Sequence, residues 1–441
     1  MRKRISIKEL CDFFWQLEIE FKLFELNISG VYIWQYIRMP LYYKVATKLG
    51  VVEQPHKVEN SSNIIKWLNR FKFSLKCVTS ILGLFKLKNV YQKVILEHDR
   101  SVLLDGKKRD VYTYKIRKAI IKDTKVLSLR LPHGVDFDKN DDLNDAIDLS
   151  WLLALAGAKS ILFPTKFNSD TREIVKKIES EIYNNLGLKF DLLKYFSKYI
   201  SRYTFRKKCI KYILTKVNAK SFDIVTPYSG RGDFVGAAKE IGLNVREIQH
   251  GIISKYHLGY SFPQCNYLPE DHIFPNQMLI WGNEWNLGAS FHSDCKILNA
   301  IVDYPYQNLL DKYISTSKKI SMTITVISQG VHTSSIAKFI LEHISHFKKY
   351  NIQYKLHPSE YNVDNKFIEK LKKIDNITLV KSTNIHQLLY ESEYVIGVFS
   401  TALIEAKLMG CNVAIIPLAG SEYFENVSGY LDVMELLDDL L

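Results

Sequence analysis

The sequence TITVIS at residues 323–328 starts a stretch in which short apolar segments alternate with helical patterns. Four more apolar segments follow: QYKL at 353–356, ITLV at 377–380, YVIGV at 394–398 and NVAIIP at 412–417. The intervening segments have the spacing of ordinary helices, at about 334–350, 365–373, 384–391 and 401–409. Five strands separated by helices predict a parallel, doubly wound α/β sheet in this half of the chain.

A second stretch of the same kind lies at residues 222–251. A strand, a turn, a helix and another strand follow one another there, at 222–226, 227–232, 233–241 and 244–249. This order is that of a βαβ unit, so it predicts another parallel sheet in the first half of the chain.

The length of the chain and the changes of pattern along it define the expected domains. At roughly 100 to 200 residues per domain, 441 residues suffice for two or three domains. We predict one α/β domain at 94–275 and a second at 276–441. Residues 1–93 contain many aromatic residues at helical spacing. They are predicted to form a helical N-terminal extension that packs on the first domain or belongs to it.

The composition excludes several classes of protein. With 47% apolar and 24% charged residues, the chain is neither disordered nor fibrous. Its six cysteines include no C-x-x-C pair, so neither a disulfide framework nor a zinc knuckle is expected. The N-terminus lacks the apolar core of a signal peptide, and no uncharged run approaches the ~20 residues of a spanning helix. We therefore expect a cytoplasmic protein that is soluble or peripheral on the inner membrane face.

The net charge of +13 favours acidic partners, among them phosphates, nucleotides, nucleic acid and anionic membranes. Residues 64–93 place seven lysines and arginines among large apolar residues, without any acid. This composition is typical of a helix on an anionic membrane surface, and also of an ordinary solvated basic face. No nucleic-acid-binding signature accompanies the charge, so nucleic acid is not an expected partner.

Polar residues follow the predicted strand 353–356 at its carboxyl end, where doubly wound sheets bind ligands. His357 there can donate a hydrogen bond to a phosphate, or protonate a departing phosphate oxygen. Pro358 stops the strand. Gln329 and Gly330 follow the preceding strand in the same way. These residues are candidates for binding an anionic ligand.

A second polar group surrounds the start of helix 401–409. Ser400 and Thr401 stand at the helix N-terminus, where free N–H groups attract a phosphate or a carboxylate. Glu405 lies one turn further along on the same face, where it can bind a ribose or a base amino group. Capping by Ser400 or Thr401 together with a surface carboxylate remains the alternative interpretation.

A third polar group ends the last strand of the first half, and it reads Glu247-Ile248-Gln249-His250-Gly251. Three polar side chains and a glycine at the end of an apolar strand are unusual for packing alone. We expect this group to face the other two across a cleft between the domains. His257, Tyr260 and Arg231 lie nearby in the sequence and are the candidate acceptor-binding residues.

These motifs together resemble those of one enzyme class. They are Glu247-x-Gln249-His250-Gly251, Ile280-Trp281-Gly282-Asn283-Glu284-Trp285, Lys355-Leu356-His357-Pro358-x-Glu360-Tyr361 and Ile396-Gly397-Val398-Phe399-Ser400-Thr401. The C-terminal half resembles the nucleotide-binding domain of GT-B glycosyltransferases. Its His-Pro and Ser-Thr pair is similar to the motifs with which bacterial sialyltransferases, polysialyltransferases and Kdo transferases hold CMP. Across residues 90–430 the chain also resembles bacterial capsule and O-antigen biosynthesis proteins.

The resemblance implies a GT-B fold, in which two Rossmann-like domains face each other across a cleft. It implies sugar transfer, without metal or other cofactor, from a nucleotide sugar to a glycan or lipid-linked oligosaccharide in bacterial surface polysaccharide biosynthesis. The implied donor is a CMP-activated nonulosonic or ulosonic acid. By this analogy His357 binds the donor phosphate. Ser400 and Thr401 hold the phosphate or the sugar carboxylate, and Glu405 binds the nucleoside.

The catalytic base stays open. Sialyltransferases of this type place it in an acidic pair followed by glycine, whereas this chain has only Leu104-Asp105-Gly106. The candidates are therefore Asp105, Asp233, Glu247 and His250.

Several alternatives share part of the pattern. A CDP-glycerol or polyol-phosphate transferase of teichoic-acid type has the same two-domain plan and a His-Pro motif, but moves a phosphodiester. A nucleotide-sugar epimerase converts its substrate without an acceptor, and a non-catalytic basic protein of membranes or nucleic acid turns nothing over. Asp136-Phe137-Asp138 also matches the metal-binding D-x-D of another glycosyltransferase fold, a pattern that often occurs by chance.

Overall fold

The computed structural model describes residues 5–52, 63–88, 90–104, 106–132, 145–263, 273–292, 294–299, 304–314, 319–362 and 364–439. Asp105 and the Asp136-Phe137-Asp138 sequence lie outside these residues. Within the described ranges, no helix is both long enough and apolar enough to cross a membrane.

The N-terminal part is helical, as the sequence predicts. Its elements are α1 (Ile7–Glu20), β1 (Asn27–Ile28), β2 (Val31–Tyr32), α2 (Trp34–Leu49) and α3 (Asn63–Gly83). The apolar faces of α1 and α2 belong to the same buried cluster as the first sheet. A buried ion pair joins the two helices, with Arg38 Nη2 at 2.9 Å from Glu18 Oε2, and Arg38 also donates to the carbonyl oxygen of Ser261 at 3.0 Å. The extension therefore packs on the first domain.

The first domain follows. Its elements are β3 (Lys93–Leu96), β4 (Ser101–Leu104), β5 (Lys107–Asp110), α4 (Tyr114–Ile120), β6 (Val126–Arg130), β7 (Asp145–Asp148), α5 (Ser150–Leu162), α6 (Ser169–Leu186), α7 (Leu192–Lys216), β8 (Ser221–Ile224), α8 (Gly232–Glu240), β9 (Asn244–Ile248), β10 (Ile253–Ser254), β11 (Gln277–Ile280), β12 (Asn286–Leu287) and β13 (Lys296–Asn299). Seven parallel strands form its sheet, in the order β13-β11-β9-β8-β3-β6-β7. The predicted βαβ unit corresponds to β8, α8 and β9.

This sheet extends further along the chain than the predicted boundary at residue 275. β11 pairs with β9 in parallel register, and β13 pairs with β11. A strand at the edge of a sheet offers unpaired N–H and C=O groups, which the next apolar segments satisfy. The first domain therefore includes residues through Asn299, and the chain passes to the second domain after that point.

The second domain begins with α9 (Gln307–Ile314), whose Leu310 is buried in the core of that domain. The elements that follow are β14 (Ile320–Ile327), α10 (Thr333–Glu342), β15 (Asn351–Lys355), α11 (Lys366–Leu371), β16 (Ile377–Val380), α12 (Ile385–Glu391), β17 (Ser392–Gly397), α13 (Thr401–Leu408), β18 (Asn412–Ile415), β19 (Leu431–Asp432) and α14 (Val433–Asp439). Its sheet is parallel throughout, in the order β16-β15-β14-β17-β18-β19. The two-domain α/β architecture predicted from the sequence is confirmed, with all five predicted strands present and a short edge strand, β19, in addition.

In each sheet the chain first adds strands on one side of a central strand and later adds strands on its other side. The point where this order reverses is the switch point of the sheet. In the second sheet this point lies between β14 and β17, because β15 and β16 extend to one side and β18 and β19 to the other. In the first sheet it lies between β3 and β8. Open α/β sheets bind ligands outside the carboxyl ends of the strands at such points. The fold thus indicates where a site belongs in each domain.

Candidate active site

A cavity of about 970 Å³ lies at the switch point of the second sheet. This volume is at the upper end of the ~300–1,000 Å³ that is typical of small-molecule sites. All seven residues predicted to bind the donor line it: Gln329, Gly330, His357, Pro358, Ser400, Thr401 and Glu405. Gln329 and Ser400, about 70 positions apart in the sequence, meet here because they follow the neighbouring parallel strands β14 and β17.

The turn after β15 orients the imidazole of His357. Nδ1 of His357 accepts a hydrogen bond from the backbone N–H of Ser359 at 3.2 Å, so the neutral ring has its proton on Nε2. Glu360 is buried and fastens the turn, since it accepts from the backbone N–H of His357 at 2.6 Å and from Ser328 Oγ at 2.7 Å. Burial of the ring lowers the pKa of His357, and the nearby Arg100 guanidinium acts in the same direction. At neutral pH His357 is therefore an N–H donor on the cavity wall.

Gly330 allows the end of β14 to approach this turn. A Cβ atom at Gly330 would lie 2.3 Å from Ser359 Oγ and 3.4 Å from His357 Nδ1. Any side chain there would displace the groups that orient His357. The absence of a side chain at Gly330 therefore allows the loop after β14 to contact the loop after β15 closely.

The side chain of Gln329 joins the two central strands at the switch point. Its Nε2 donates to the carbonyl oxygen of Phe399 at 2.5 Å, and its Oε1 accepts from the N–H of Phe399 at 3.0 Å. Both ends of the amide are thereby occupied. Gln329 lines the cavity, but these contacts favour a role in positioning the Phe399–Ser400 segment over direct contact with a ligand.

Ser400 caps α13 as the sequence predicts. Its Oγ accepts from the N–H of Ala402 at 3.2 Å, and Thr401 is the first residue of the helix. Both side chains are half-buried and line the cavity. The N-terminus of α13 thus presents N–H groups and a positive helix dipole to the ligand space.

Glu405 is more constrained than the sequence suggests. Its side chain is 4% exposed, and its Oε1 accepts a hydrogen bond from the hydroxyl of Tyr304. Its Oε2 lies 3.0 Å from His386 Nε2. Tyr304, Tyr306 and His386 line the cavity with it. A ligand at this end therefore meets a preorganised polar group of four side chains instead of one free carboxylate.

Two basic side chains complete the cavity wall. Arg100 follows β3 at the switch point of the first sheet and reaches the cavity of the second domain, where its Nη1 donates to Tyr112 at 2.8 Å. Arg100 was not singled out from the sequence, although it follows an apolar strand within a polar segment and the carboxyl-end rule applies to it. Lys355 precedes His357 by two residues and also lines the cavity, with its ammonium turned back onto the carbonyl oxygen of Lys381.

The polar group at the end of β9 and just beyond it forms a hydrogen-bond network inside the first domain. Glu247 is fully buried, and its Oε1 accepts from the hydroxyl of Tyr260 at 2.8 Å. Tyr260 in turn lies 3.3 Å from His250 Nδ1, and Tyr228 lies 3.2 Å from His250 Nε2. Tyr228 also lies 3.4 Å from His257 Nε2. Two predicted acceptor residues, His257 and Tyr260, therefore belong to one network with two of the candidate bases.

The pKa values within this network are displaced by burial. Burial raises the pKa of Glu247 to about 8, while the bond from Tyr260 acts in the opposite direction. Burial, together with neighbouring His257, His98 and two arginines, holds the pKa of His250 well below its usual range. His250 is therefore neutral at pH 7, with one ring nitrogen able to accept a proton.

His250 is connected to the cavity-lining Arg100 through Tyr112. Its ring centroid lies 6.1 Å from that of Tyr112, the residue that binds Arg100, and 6.3 Å from that of His98. His98 was not singled out from the sequence. His250 thus lies among the side chains at the carboxyl ends of the first sheet, two contacts from the wall of the second-domain cavity.

Asp233 and Arg231 are placed differently from the expectation. Asp233 is fully buried, with Oδ2 2.5 Å from Arg206 Nε, and burial raises its pKa to about 6. Arg231 is buried and donates to the carbonyl oxygen of Val225 and to Thr226 Oγ1, both at 3.0 Å. Both sets of contacts favour structural roles. We therefore leave Asp233 out of the proposed base and Arg231 out of the proposed acceptor site.

Gln249 explains why two of the sequence motifs occur together. This buried side chain donates to the carbonyl oxygen of Trp285 at 3.2 Å and accepts from the N–H of Trp281 at 2.8 Å. Trp285 stacks on Tyr304, with ring centroids 4.5 Å apart. The segment that follows β9 and contains His250 is thus connected, through the tryptophan motif, to the tyrosine that binds Glu405.

We expect the substitution Glu247→Gln to remove a pH dependence of stability. Because the pKa of Glu247 is raised from 4.5 to about 8, the native state binds this proton more tightly than the unfolded state. The free energy of unfolding therefore falls as pH rises between these values, by at most about 1.4 kcal/mol per pH unit from this group. Glutamine does not titrate, so the melting temperature of the variant minus that of the wild type should be larger at pH 8.5 than at pH 5.

The comparison between the two proteins isolates Glu247, because Asp110 and Asp233, whose pKa values burial raises to about 6, titrate in both. Equal differences in melting temperature at both pH values would contradict the prediction.

No protein-family model matches the sequence, and no curated protein matches it either. Among solved structures, the chain is similar to a UDP-GlcNAc 2-epimerase from Methanocaldococcus jannaschii, with a TM-score of 0.41 and 11% identity over 79% of this chain and 90% of that chain. It is also similar to MurG of Acinetobacter baumannii, with a TM-score of 0.42 and 10% identity over 79% and 89%. For UGT2 of Phytolacca americana the values are 0.42 and 9% over 78% and 86%.

Proposed function

We propose that the protein is a GT-B glycosyltransferase that uses a nucleotide-sugar donor. The observation that supports this function best is the convergence of both donor motifs, His357-Pro358 and Ser400-Thr401, on one cavity at the switch point of the second sheet. The cavity has an N–H donor, a helix N-terminus and Arg100 for a phosphate. It also has the Glu405 group for a nucleoside.

The donor we favour is a CMP-activated nonulosonic or ulosonic acid. Such a donor carries a phosphate and a sugar carboxylate, and the cavity offers positive or N–H groups from both domains to bind them. Arg100 approaches from the first domain, while His357 and the α13 N-terminus belong to the second. The resemblance of the His-Pro and Ser-Thr motifs to those of sialyltransferases and Kdo transferases supports the same donor.

In the proposed reaction the acceptor hydroxyl oxygen bonds to the anomeric carbon, and its proton passes to Nε2 of His250. The bond between the anomeric carbon and the phosphate oxygen breaks, and its electron pair leaves on CMP. His357 Nε2–H stabilises that oxygen with a hydrogen bond. When Tyr260 donates to Glu247, it accepts from His250 Nδ1–H, and Nε2 then carries no proton. In this arrangement Nε2 accepts from the Tyr228 hydroxyl, which the acceptor hydroxyl replaces in the proposed reaction.

The proposed acceptor is a glycan or a lipid-linked oligosaccharide of bacterial surface polysaccharide assembly. This part of the proposal rests on the resemblance to capsule and O-antigen proteins and on the positive charge. It also implies that the enzyme works at the anionic inner face of the membrane.

Thermal unfolding of the full chain with five nucleotides tests the donor. A ligand that binds only the native state raises stability by RT ln(1 + [L]/Kd), about 2.7 kcal/mol at 100 times Kd. We expect CMP to raise the melting temperature more than CDP, UDP, GDP or dTDP at equal concentration. We further expect CMP-N-acetylneuraminic acid to exceed CMP in the wild type, and to lose this advantage in Arg100→Gln.

Other outcomes of the same experiment would redirect the proposal. A preference for CDP would favour the polyol-phosphate transferase. A preference for UDP, GDP or dTDP would exclude the CMP-linked donor. No shift with any of the five nucleotides would contradict a nucleotide-sugar enzyme.

A further inference from the structure

Helix α3 contacts the body of the protein through its less apolar face. Ser80 is buried, and its Oγ accepts a hydrogen bond from the backbone N–H of Trp151 at 3.3 Å. Cys77 and Leu84 are half-buried against the same core. A Cβ atom at Gly83 would lie 3.9 Å from Ile147. Where the structure describes the side chains of α3, from residue 71 onward, the contact face thus consists mainly of small residues.

The opposite face of this segment consists of large apolar side chains that are exposed. They are Phe71, Leu75, Val78, Leu82 and Phe85, with exposed fractions between 51% and 80%. Their spacing of four, three, four and three residues places them on one stripe along the helix and the turn that follows it. An ordinary surface helix buries its large apolar side chains and exposes its polar ones, because burial of apolar side chains favours the native state. This stripe therefore indicates a partner that takes it out of water.

Helix α5, which packs beside α3, also carries exposed apolar side chains. They are Leu155 in the middle of α5 and Ile161, Leu162 and Phe163 at its C-terminal end, with exposed fractions between 46% and 76%. The backbone there is anchored, since Ser201 Oγ donates to the carbonyl oxygen of Phe163 at 3.1 Å. These side chains therefore project from a fixed support.

The charged residues of the segment that carries the stripe are all basic. No acidic residue occurs between 64 and 93, and Lys72, Lys76 and Lys88 are exposed. Of the neighbouring acids, Asp148 pairs with Lys76 at 3.1 Å. Lys93, the last base of this stretch, is buried and pairs with Asp223, so it contributes nothing to the surface. An apolar stripe flanked by lysines is complementary to anionic lipid headgroups above an acyl layer.

We propose that the outward face of α3 binds the surface of an anionic phospholipid bilayer, with the helix axis in the plane of the membrane. A second copy of the chain is the less suitable occupant. A two-fold contact through this face would place the same acid-free basic helix against itself. The inference does not depend on the donor, so it can be tested separately from the proposed function.

Co-sedimentation of the full chain with lipid vesicles tests the inference. We expect the protein to bind vesicles of phosphatidylcholine with 30% phosphatidylglycerol, and to bind pure phosphatidylcholine vesicles at least tenfold less. The double substitution Leu82→Ser, Phe85→Ser should lower binding to the anionic vesicles at least tenfold, because both side chains leave water only in the bilayer. Lys72→Glu should lower it several-fold.

The matched control is Ile320→Ser, Met434→Ser, which removes two similarly exposed apolar side chains from the second domain and should leave binding unchanged. All variants should retain the wild-type melting temperature and its shift with nucleotide, which reports on the donor cavity. Absence of vesicle binding in the wild type, or equal binding by the Leu82→Ser, Phe85→Ser variant, would overturn the inference. A dimer that this variant dissociates, without vesicle binding, would also overturn it and assign the face to self-association.

Discussion

Replacing His357 by alanine is expected to lower kcat/KM for sugar transfer by roughly 10²- to 10³-fold, the effect of removing one preorganised hydrogen-bond donor from a developing negative charge. His357 is oriented by Ser359 and Glu360, so its N–H already points from a fixed turn before the substrate binds. The loss should appear in the rate of transfer from a CMP-linked donor, measured in the full chain with saturating acceptor.

Two further variants distinguish a role of the N–H from a role of the turn. His357→Gln retains an N–H near the position of Nε2, so it should lose less activity than His357→Ala. His346→Ala removes a histidine at the other end of the same domain, outside the cavity, and should leave turnover unchanged. Equal turnover by His357→Ala and the wild type would show that the leaving phosphate is stabilised by other groups.

Substituting asparagine for His250 is expected to reduce kcat by roughly 10²- to 10⁴-fold, the usual contribution of a positioned general base. Asparagine can replace the Nδ1–H that meets Tyr260, but it has no basic nitrogen in the place of Nε2. Donor binding should survive, because His250 is not part of the cavity wall that we assign to the nucleotide. The variant should therefore keep the thermal shift with nucleotide and lose turnover.

This split between binding and turnover separates His250 from the other candidate bases. Glu247→Gln and Asp105→Asn, assayed in the same way, should each retain more activity than His250→Asn. If either of them abolished turnover while His250→Asn remained active, the base would lie elsewhere in the first domain. A loss of the nucleotide shift in His250→Asn would instead indicate that His250 contacts the donor.

The sequence predicts the secondary structure of the second domain closely because the signals are local. The strand predicted at 377–380 coincides with β16, and the helix predicted at 401–409 begins at Thr401. Alternation, capping residues and glycine stops each depend on a few neighbouring residues. β19 was missed because two residues show no periodicity, and the domain boundary was misplaced because β11 and β13 belong to the first sheet only through pairing.

The residues of the candidate site that directly follow a strand could be predicted from the sequence. Those whose role depends on partners far away in the chain could not. His357, Ser400 and Thr401 could be found because each ends a recognisable strand. Which other side chains meet them depends on the order of strands in the sheet, which the sequence does not show. The burial of Glu405 against Tyr304 and the approach of Arg100 from the other domain follow from that order.

Periodicity and local stereochemistry suffice to predict two parallel α/β domains with polar motifs at the carboxyl ends of their strands. The sequence does not reveal which motifs share a cavity, which carboxylates are held by partners, or which face of α3 remains in water. Those outcomes depend on contacts between residues far apart in the chain. Burial, charge pairing and pKa are set by such contacts and by no single segment.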